Sequence, residues 1–267
     1  MANEEYTERI DRQVDKDRAR IKDLDQLKVR GDVFDDVTLL ALYKLSQKGW
    51  ITAIGGPIST GKEANVFLAD RGSSTVAIKI YLIRTANFKR MQEYITGDRR
   101  FHGTRKTRKE LIFTWTKKEF SNLKRAQKAG IPVPEPLVFD RNILIMEFLG
   151  EDENPYPQIR NVNLENPRLV YEEILLQVTS LYQKAHLVHG DLSEYNILYG
   201  NRPYLIDMGQ AVTEEHPQAL LFLMRDLENI NRFFGTMCNT DDVRDTFTKI
   251  TGIPVTTSEN NMYDKEK

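Results

Sequence analysis

Two stretches of the chain, Leu187-Val-His-Gly-Asp-Leu-Ser-Glu-Tyr-Asn-Ile-Leu198 and Leu205-Ile-Asp-Met-Gly-Gln-Ala-Val212, set short apolar runs against polar turns. The apolar runs are too short for helices and read as brief strands held against a core. The turns carry Asp191 and Asn196 in the spacing D-x4-N, with Asp207 eleven residues further on. A fold that obeys this pattern brings two carboxylates and one amide to loop ends. One carboxylate and one amide oxygen form a donor set for a hard cation such as Mg2+, provided phosphate oxygens complete the shell. The second carboxylate is then left to orient or deprotonate an acceptor.

Protein kinases use the D-x4-N spacing in their catalytic loop, where the Asp acts as base and the Asn holds magnesium. Asp207 follows the apolar strand Tyr204-Leu-Ile206 and precedes Met208-Gly209. That is the place of the metal-holding Asp in a D-F-G motif, with Met in the Phe position. Upstream, Ala77-Ile78-Lys79 matches the V-A-I-K strand, whose Lys grips the α- and β-phosphates. Such a Lys needs a helical carboxylate partner. Glu119, mid-helix among apolar residues in Phe113-Thr-Trp-Thr-Lys-Lys-Glu-Phe120, is the candidate; Glu110 is the runner-up.

A glycine-rich stretch, Gly55-Gly-Pro-Ile-Ser-Thr-Gly-Lys-Glu63, precedes the Lys79 strand. Gly56 to Lys62 fits the start of a Walker A loop, G-x4-G-K, but the next residue is Glu63 rather than Ser or Thr. A Walker A loop also opens a helix, whereas Ala64–Leu68 reads as a strand. A strand–loop–strand phosphate cover fits better. Ser59, Thr60, Gly61 and Lys62 would offer donors to phosphate oxygens. Ile145-Met-Glu-Phe-Leu-Gly150 reads as a buried strand joining two lobes, whose backbone would meet an adenine edge.

The rest of the chain fits around these motifs. Residues 1–34 form a charged tail or helix, with eight acidic and eight basic side chains in the first 30. Residues 35–146 make an upper lobe: a helix from Asp35-Asp36 closed by Gly49, then a β-rich region with a hairpin at 70–74, then strands after the Pro132, Pro134, Pro136 run. Inside it, residues 84–110 hold nine Lys/Arg against three Asp/Glu, and the pattern predicts a long, mobile, basic loop. A helix resumes near Lys109 and ends at Gly130. Residues 147–257 make a lower lobe with one helix from Leu169 to His186 and another after Pro217, and 258–267 form a polar tail. The formal net charge of −1 excludes a global pull on nucleic acid or membrane, so any such contact must be local. A single cysteine, Cys238, allows no intramolecular disulfide and points to a reducing compartment. No apolar run is long enough to span a bilayer and the N-terminus lacks a secretory core, so a cytoplasmic protein is expected.

Taken together, STGKEANVF at 59–67, VHGDLSEYN at 188–196 and LIDMGQAV at 205–212 resemble the RIO family of atypical protein kinases, in the archaeal form of its first branch. The second branch carries an N-terminal winged helix, for which residues 1–50 are too short. The resemblance covers roughly residues 35–255. It implies an α+β, two-lobed protein-kinase-like fold with a trimmed C-lobe that lacks an activation segment and peptide-docking helices. The absence of an A-P-E motif and the 60 residues that follow Asp207 agree with this. It implies ATP with Mg2+, or Mn2+ in its place, and serine/threonine phosphorylation that includes autophosphorylation. ATP hydrolysis through an aspartyl-phosphate on Asp207 is implied as well, as is a role in maturing the small ribosomal subunit. By motif position, Lys79 and Glu119 form an ion pair, and Glu147 and Leu149 hold adenine through their backbones. Asp191 is the base, and Asn196 and Asp207 hold the metal. The basic stretch 84–110 is a candidate contact for ribosomal RNA, and Thr104 and Thr107 are candidate self-phosphorylation sites.

Small-molecule phosphotransferases of the aminoglycoside and choline kinase kind share the H-G-D-x4-N loop, so that loop does not decide between the two readings. The STGKEA stretch and the Met-Gly-Gln after Asp207 favour the protein-kinase reading. A nucleotide-gated scaffold without chemistry is disfavoured because Lys79, Asp191, Asn196 and Asp207 are all present.

Overall fold

The computed structural model describes residues 35–83, 88–101 and 107–255. The expected N-terminal tail, the polar C-terminal tail and Thr104 lie outside the described residues. Helix α1 (Asp36–Gln47) starts at Asp35, whose side chain accepts a hydrogen bond from Thr38 N at 2.8 Å. This is an N-cap that satisfies one of the orphan donors of the first turn. Gly49 (φ 73°) ends the helix in the left-handed region that glycine adopts without strain.

Three strands follow: β1 (Ala53–Thr60), β2 (Ala64–Arg71) and β3 (Ser74–Tyr81). With β4 (Pro136–Asp140) and β5 (Ile143–Glu147) they form an antiparallel sheet in the order β1-β2-β3-β5-β4. The sequence reading put a turn at Gly55–Lys62; instead β1 runs through Thr60, and only Gly61–Glu63 turn back into β2. Pro57 is tolerated there because β1 is an edge strand, with register shifts on either side of it.

The period of two along β3 decides where Lys79 points. Val76, Ile78 and Ile80 pack with Ala41, Leu42 and Leu45 of α1 on one face of the sheet. Lys79 and Tyr81 therefore face the opposite side, toward the lower lobe. β5 continues through Glu147, which pairs with Val76, so the upper sheet extends one residue beyond the 146/147 boundary drawn from sequence.

The basic segment is not a loop throughout. It contains helix α2 (Phe88–Thr96) and a 3-10 turn (Arg99–Phe101). Met91, Tyr94, Ile95 and Phe101 are buried in the main core, which anchors it despite its charge. Helix α3 (Arg108–Lys128) is capped by Thr107, one of the candidate phosphorylation sites, and closed at Gly130.

After a short hairpin, β6 (Gly150–Glu151) with β7 (Asn154–Pro155), the lower lobe builds on helices α4 (Pro167–Gln183), α5 (Ala219–Phe234) and α6 (Val243–Thr251). Two small strand pairs lie among them: β8 (Leu187–Val188) with β11 (Val212–Thr213), and β9 (Ile197–Tyr199) with β10 (Pro203–Leu205). The catalytic-type loop joins β8 to β9, and the Asp207 loop joins β10 to β11. Helix α6 has no counterpart in the sequence reading; Asp242 caps it through the N–H groups of Arg244 and Asp245. Among the described residues no helix is long and apolar enough to cross a membrane.

Candidate active site

A cavity of about 460 Å³ opens between the sheet and the lower lobe. Ser59, Gly61 and Lys62 line its roof, Glu147 and Leu149 its back, and Asn196 and Asp207 its floor. Lys79 and Glu119 reach it from β3 and α3. Thr60 and Asp191 are not among its lining residues. Asp191 is joined to it through Asn196 and Gln210.

The centre of the cavity is a three-group cluster. Lys79 Nζ donates to Glu119 Oε1 at 2.8 Å and to Asp207 Oδ1 at 2.9 Å. Tyr81 donates its hydroxyl proton to the other Glu119 oxygen. Glu110, the runner-up partner, instead sits in the first turn of α3 and bonds the Thr107 hydroxyl at 2.9 Å. Burial alone would lower the Lys79 pKa, but the Asp207 and Glu119 carboxylates outweigh it and raise it, so the ammonium stays charged. Burial pushes Glu119 up to about 7 against the pull of Lys79. Asp207 is held below the usual carboxylate range, because Lys79 outweighs its desolvation. The Glu119 side chain is 1% exposed and that of Asp207 is 44% exposed. One carboxylate is therefore structural, and the other is open to a ligand.

Asp207 has φ 62°, a left-handed conformation that costs a residue with a Cβ about 1–2 kcal/mol and that Asp tolerates better than most. Its loop is fixed from behind by α3. Lys118 Nζ donates to Gly209 O at 2.9 Å and to Ala211 O, and Asn122 Nδ2 donates to Met208 O at 2.8 Å and Ala211 O at 2.7 Å. A Cβ on Gly209 would meet Trp115 Nε1 at 2.7 Å, so only glycine lets the loop lie this close to α3.

The Asp191 loop is fixed from α5. The buried Asp226 carboxylate accepts from Gly190 N and Leu192 N, each at 2.8 Å, on either side of Asp191. Burial pushes Asp226 up to about 7, partly offset by those two N–H donors. Arg225 donates to Gly190 O, and Gly190 takes φ 77°. His189 sits with Nε2 3.0 Å from Ile206 O, and burial lowers its pKa, which keeps it neutral. Asn196 Nδ2 donates to Asp191 O at 2.7 Å, and Gln210 Nε2 to Asp191 Oδ2 at 2.8 Å.

At the back of the cavity, the Glu147 N–H is taken by Glu135 O at 2.8 Å and the Leu149 carbonyl by Tyr156 N at 3.0 Å. As to a metal, the amide nitrogen of Asn196 is committed to Asp191, which leaves its oxygen as the group it can offer in the cavity that the open Asp207 carboxylate also lines. Among the described residues no group of three or more His, Cys, Asp or Glu could hold an ion unaided. The donor set fits a hard cation that takes its remaining ligands from phosphate and water, as Mg2+ does.

This arrangement of Lys–Glu pair, catalytic-type loop and metal-type loop can be set against known proteins. The family model described as RIO domain matches residues 65–246. The chain belongs to the RIO family. Among curated RIO relatives, the "RIO-type serine/threonine-protein kinase Rio1" of Haloferax volcanii is 48% identical over 228 residues, 85% of this chain and 78% of that protein. Its counterpart from Methanocaldococcus jannaschii is 38% identical over 86% of this chain and 80% of its own length. Human "Serine/threonine-protein kinase RIO1" is 42% identical over 84% of this chain but only 40% of its own length. A crystal structure described as the Rio2 kinase-ADP/Mg2+-phosphoaspartate complex from Chaetomium thermophilum aligns with a TM-score of 0.62 over 85% of this chain and 74% of its own. At 23% identity that likeness speaks for the fold alone. RIO membership supports atypical protein-kinase activity, and the α+β kinase-like architecture is that of the family.

Of the expected site residues, the fold brings Ser59, Gly61, Lys62, Lys79, Glu119, Glu147, Leu149, Asn196 and Asp207 around one cavity, with Asp191 behind Gln210 and Thr60 at the end of β1. Sequence reasoning missed Lys118, Asn122, Gln210 and Asp226. A signal existed for three of them. Lys118 and Asn122 continue the stripe of Leu111 and Trp115 at helical spacing, and Asp226 lies between Phe222 and Ile230 on the apolar face of α5. A polar residue on such a stripe must find a buried partner.

Proposed function

We propose that the chain binds ATP with Mg2+ in this cavity and transfers the γ-phosphoryl group to a serine or threonine hydroxyl, its own included. The observation that carries this reading is that Lys79 lies within hydrogen-bond distance of both Glu119 and Asp207 at the centre of the cavity. The adenine edge would meet the Glu147 carbonyl and the Leu149 N–H, and the triphosphate would lie under Ser59–Lys62 with Lys79 on the α- and β-phosphates. Asn196 and Asp207 would hold Mg2+, with Mn2+ an acceptable substitute, and the ion would neutralise charge on the phosphates. Asp191 would accept the proton of the acceptor hydroxyl. The new O–P bond forms as the bond to the β,γ-bridging oxygen breaks and ADP leaves.

A second reading is supported by the openness of Asp207. A carboxylate can itself take the phosphoryl group and then release it to water, which makes an ATPase. The Chaetomium complex carries a phosphoaspartate by its own description. We also propose a cytoplasmic role on small-ribosomal-subunit precursors, supported by the RIO kinship and by the Lys/Arg-rich segment 84–110, whose charge suits RNA phosphates.

Incubation with γ-labelled ATP and Mg2+ tests the chemistry. Self-labelling or phosphate release is expected from the parent and neither from Asp207→Ala. If the parent does neither, and Asp207→Ala binds ATP as the parent does, the enzyme reading fails. Label removed by hydroxylamine assigns the acceptor to Asp207, whereas resistant label assigns it to Ser or Thr. Absence from small-subunit precursor fractions in cell extract would overturn the ribosomal role.

A further inference from the structure

Gln210 is a buried polar side chain, 8% exposed, three residues past Asp207, and it lines the cavity. Its amide donates to Asp191 Oδ2 at 2.8 Å. Asn196 Nδ2, committed to Asp191 O at 2.7 Å, stands 3.4 Å from the same carboxylate oxygen. Gln210 is thus a short side-chain contact between the loop that bears Asp207 and the carboxylate of Asp191.

The Asp207 loop does not need that contact to keep its shape. Lys118 and Asn122 hold the carbonyls of Met208, Gly209 and Ala211 from α3, and Ala211 N closes the turn onto Met208 O at 3.2 Å. Nor does the backbone of the Asp191 loop need it, since Asp226 fixes Gly190 and Leu192. Both anchors act on backbone, whereas Gln210 acts on the Asp191 carboxylate itself. Carboxylate torsions about the terminal bond are broad, so a short directed hydrogen bond to one oxygen narrows the orientations that an Asp side chain takes. An amide is neutral and neither supplies nor removes a proton. It fixes one oxygen by a directed hydrogen bond.

We propose that Gln210 is a positioning residue for phosphoryl transfer: it holds the Asp191 carboxylate in the orientation that meets the acceptor, and ties that orientation to the loop carrying Asp207. The geometry makes the two carboxylates one assembly. An acceptor meets a base whose direction is already set relative to the phosphate-side carboxylate, which is how a positioned group gains rate without new binding contacts. This inference rests on the reading of Asp191 as base given above.

The test is a double-mutant cycle on the full chain, measured as the kcat and KM for ATP of γ-phosphoryl transfer. Gln210→Ala lowers kcat about tenfold or more with KM for ATP within about twofold. Gln210→Glu, of equal size but with a carboxylate facing Asp191, loses at least as much. In the Asp191→Asn background Gln210→Ala costs less than about twofold, because Gln210 acts only through Asp191. A structural role would instead cost the same factor in both backgrounds. If both Gln210 variants keep kcat within twofold of the parent while Asp191→Asn falls to a small but measurable residual rate, this inference is wrong and the base reading stands. If the loss is equal in the two backgrounds, the inference is likewise overturned. If Asp191→Asn turns over like the parent, the base reading fails first and the inference with it.

Discussion

Replacing Lys118 with methionine separates the electrostatics of the buried latch from its shape. Lys118 is fully buried, and burial brings its pKa down from 10.5 to about 7, with Asp98 opposing and Arg100 adding to the fall. A lysine depressed in the folded state contributes stability that is fully present above its unfolded pKa and is lost as pH falls toward the folded value. Between pH 7.5 and 9.5 the unfolded chain holds a proton at Lys118 that the folded chain does not. The stability of the parent should therefore rise by close to 1.4 kcal/mol per pH unit from this group, about 2–3 kcal/mol over the window. Methionine has a similar length and no proton, so Lys118→Met lacks this slope. Urea unfolding of both proteins at half-unit pH steps gives the difference, in which all shared titrations cancel. The parent should gain about 2–3 kcal/mol on the variant from pH 7.5 to 9.5. A difference that stays flat within about 0.5 kcal/mol would show that Lys118 keeps its proton in the fold, and would refute the burial argument.

Lys79→Met leaves Glu119 buried without its ammonium, a loss of about 3–5 kcal/mol for one partner of a buried pair. Because burial already raises the Glu119 pKa, the carboxyl takes up a proton as pH falls, so thermal unfolding should show a larger loss at pH 8 than at pH 6. Gly209→Ala drives a Cβ against Trp115 Nε1; we expect a loss of about 1–3 kcal/mol in urea unfolding and at least a tenfold fall in turnover, because Asp207 must shift with the loop. Asp226→Ala strands the N–H groups of Gly190 and Leu192 and should cost about 3 kcal/mol in the same assay, with kcat falling more than KM for ATP rises.

The parts of the site that were legible in the sequence are those written in local spacing. Asp191 and Asn196 share one loop, Asp207 ends one strand, and Lys79 sits on a strand whose alternation fixes its face. Glu119 was legible because a carboxylate mid-helix among apolar residues has few other uses. The basic segment misled for the opposite reason. Its Lys and Arg side chains dominate the composition, while three anchors, Met91, Tyr94 and Ile95, suffice to dock a nine-residue helix. The partners of the supports were illegible because they are long-range. Nothing near Asp226 in the chain says that it will bond residues 34 and 36 positions away, and Lys118 meets carbonyls more than 90 positions later. Those pairings exist only once the helices are packed.

Helix α3 bonds Lys79 of the sheet through Glu119 and the Asp207 loop through Lys118 and Asn122, all within one turn and a half of helix. It works as an axle common to both lobes. A rotation that opened the lobes about α3 would have to break the lysine pair or draw the Asp207 loop along with it. The edge strand β1 and its turn at Gly61–Glu63 are largely exposed and pair with β2 alone, so on the ATP reading proposed above they are the expected route of nucleotide entry and exit. With ATP bound as proposed, exchange of ADP for ATP would depend on movement of that edge, with the Lys79–Glu119–Asp207 cluster left in place beneath it.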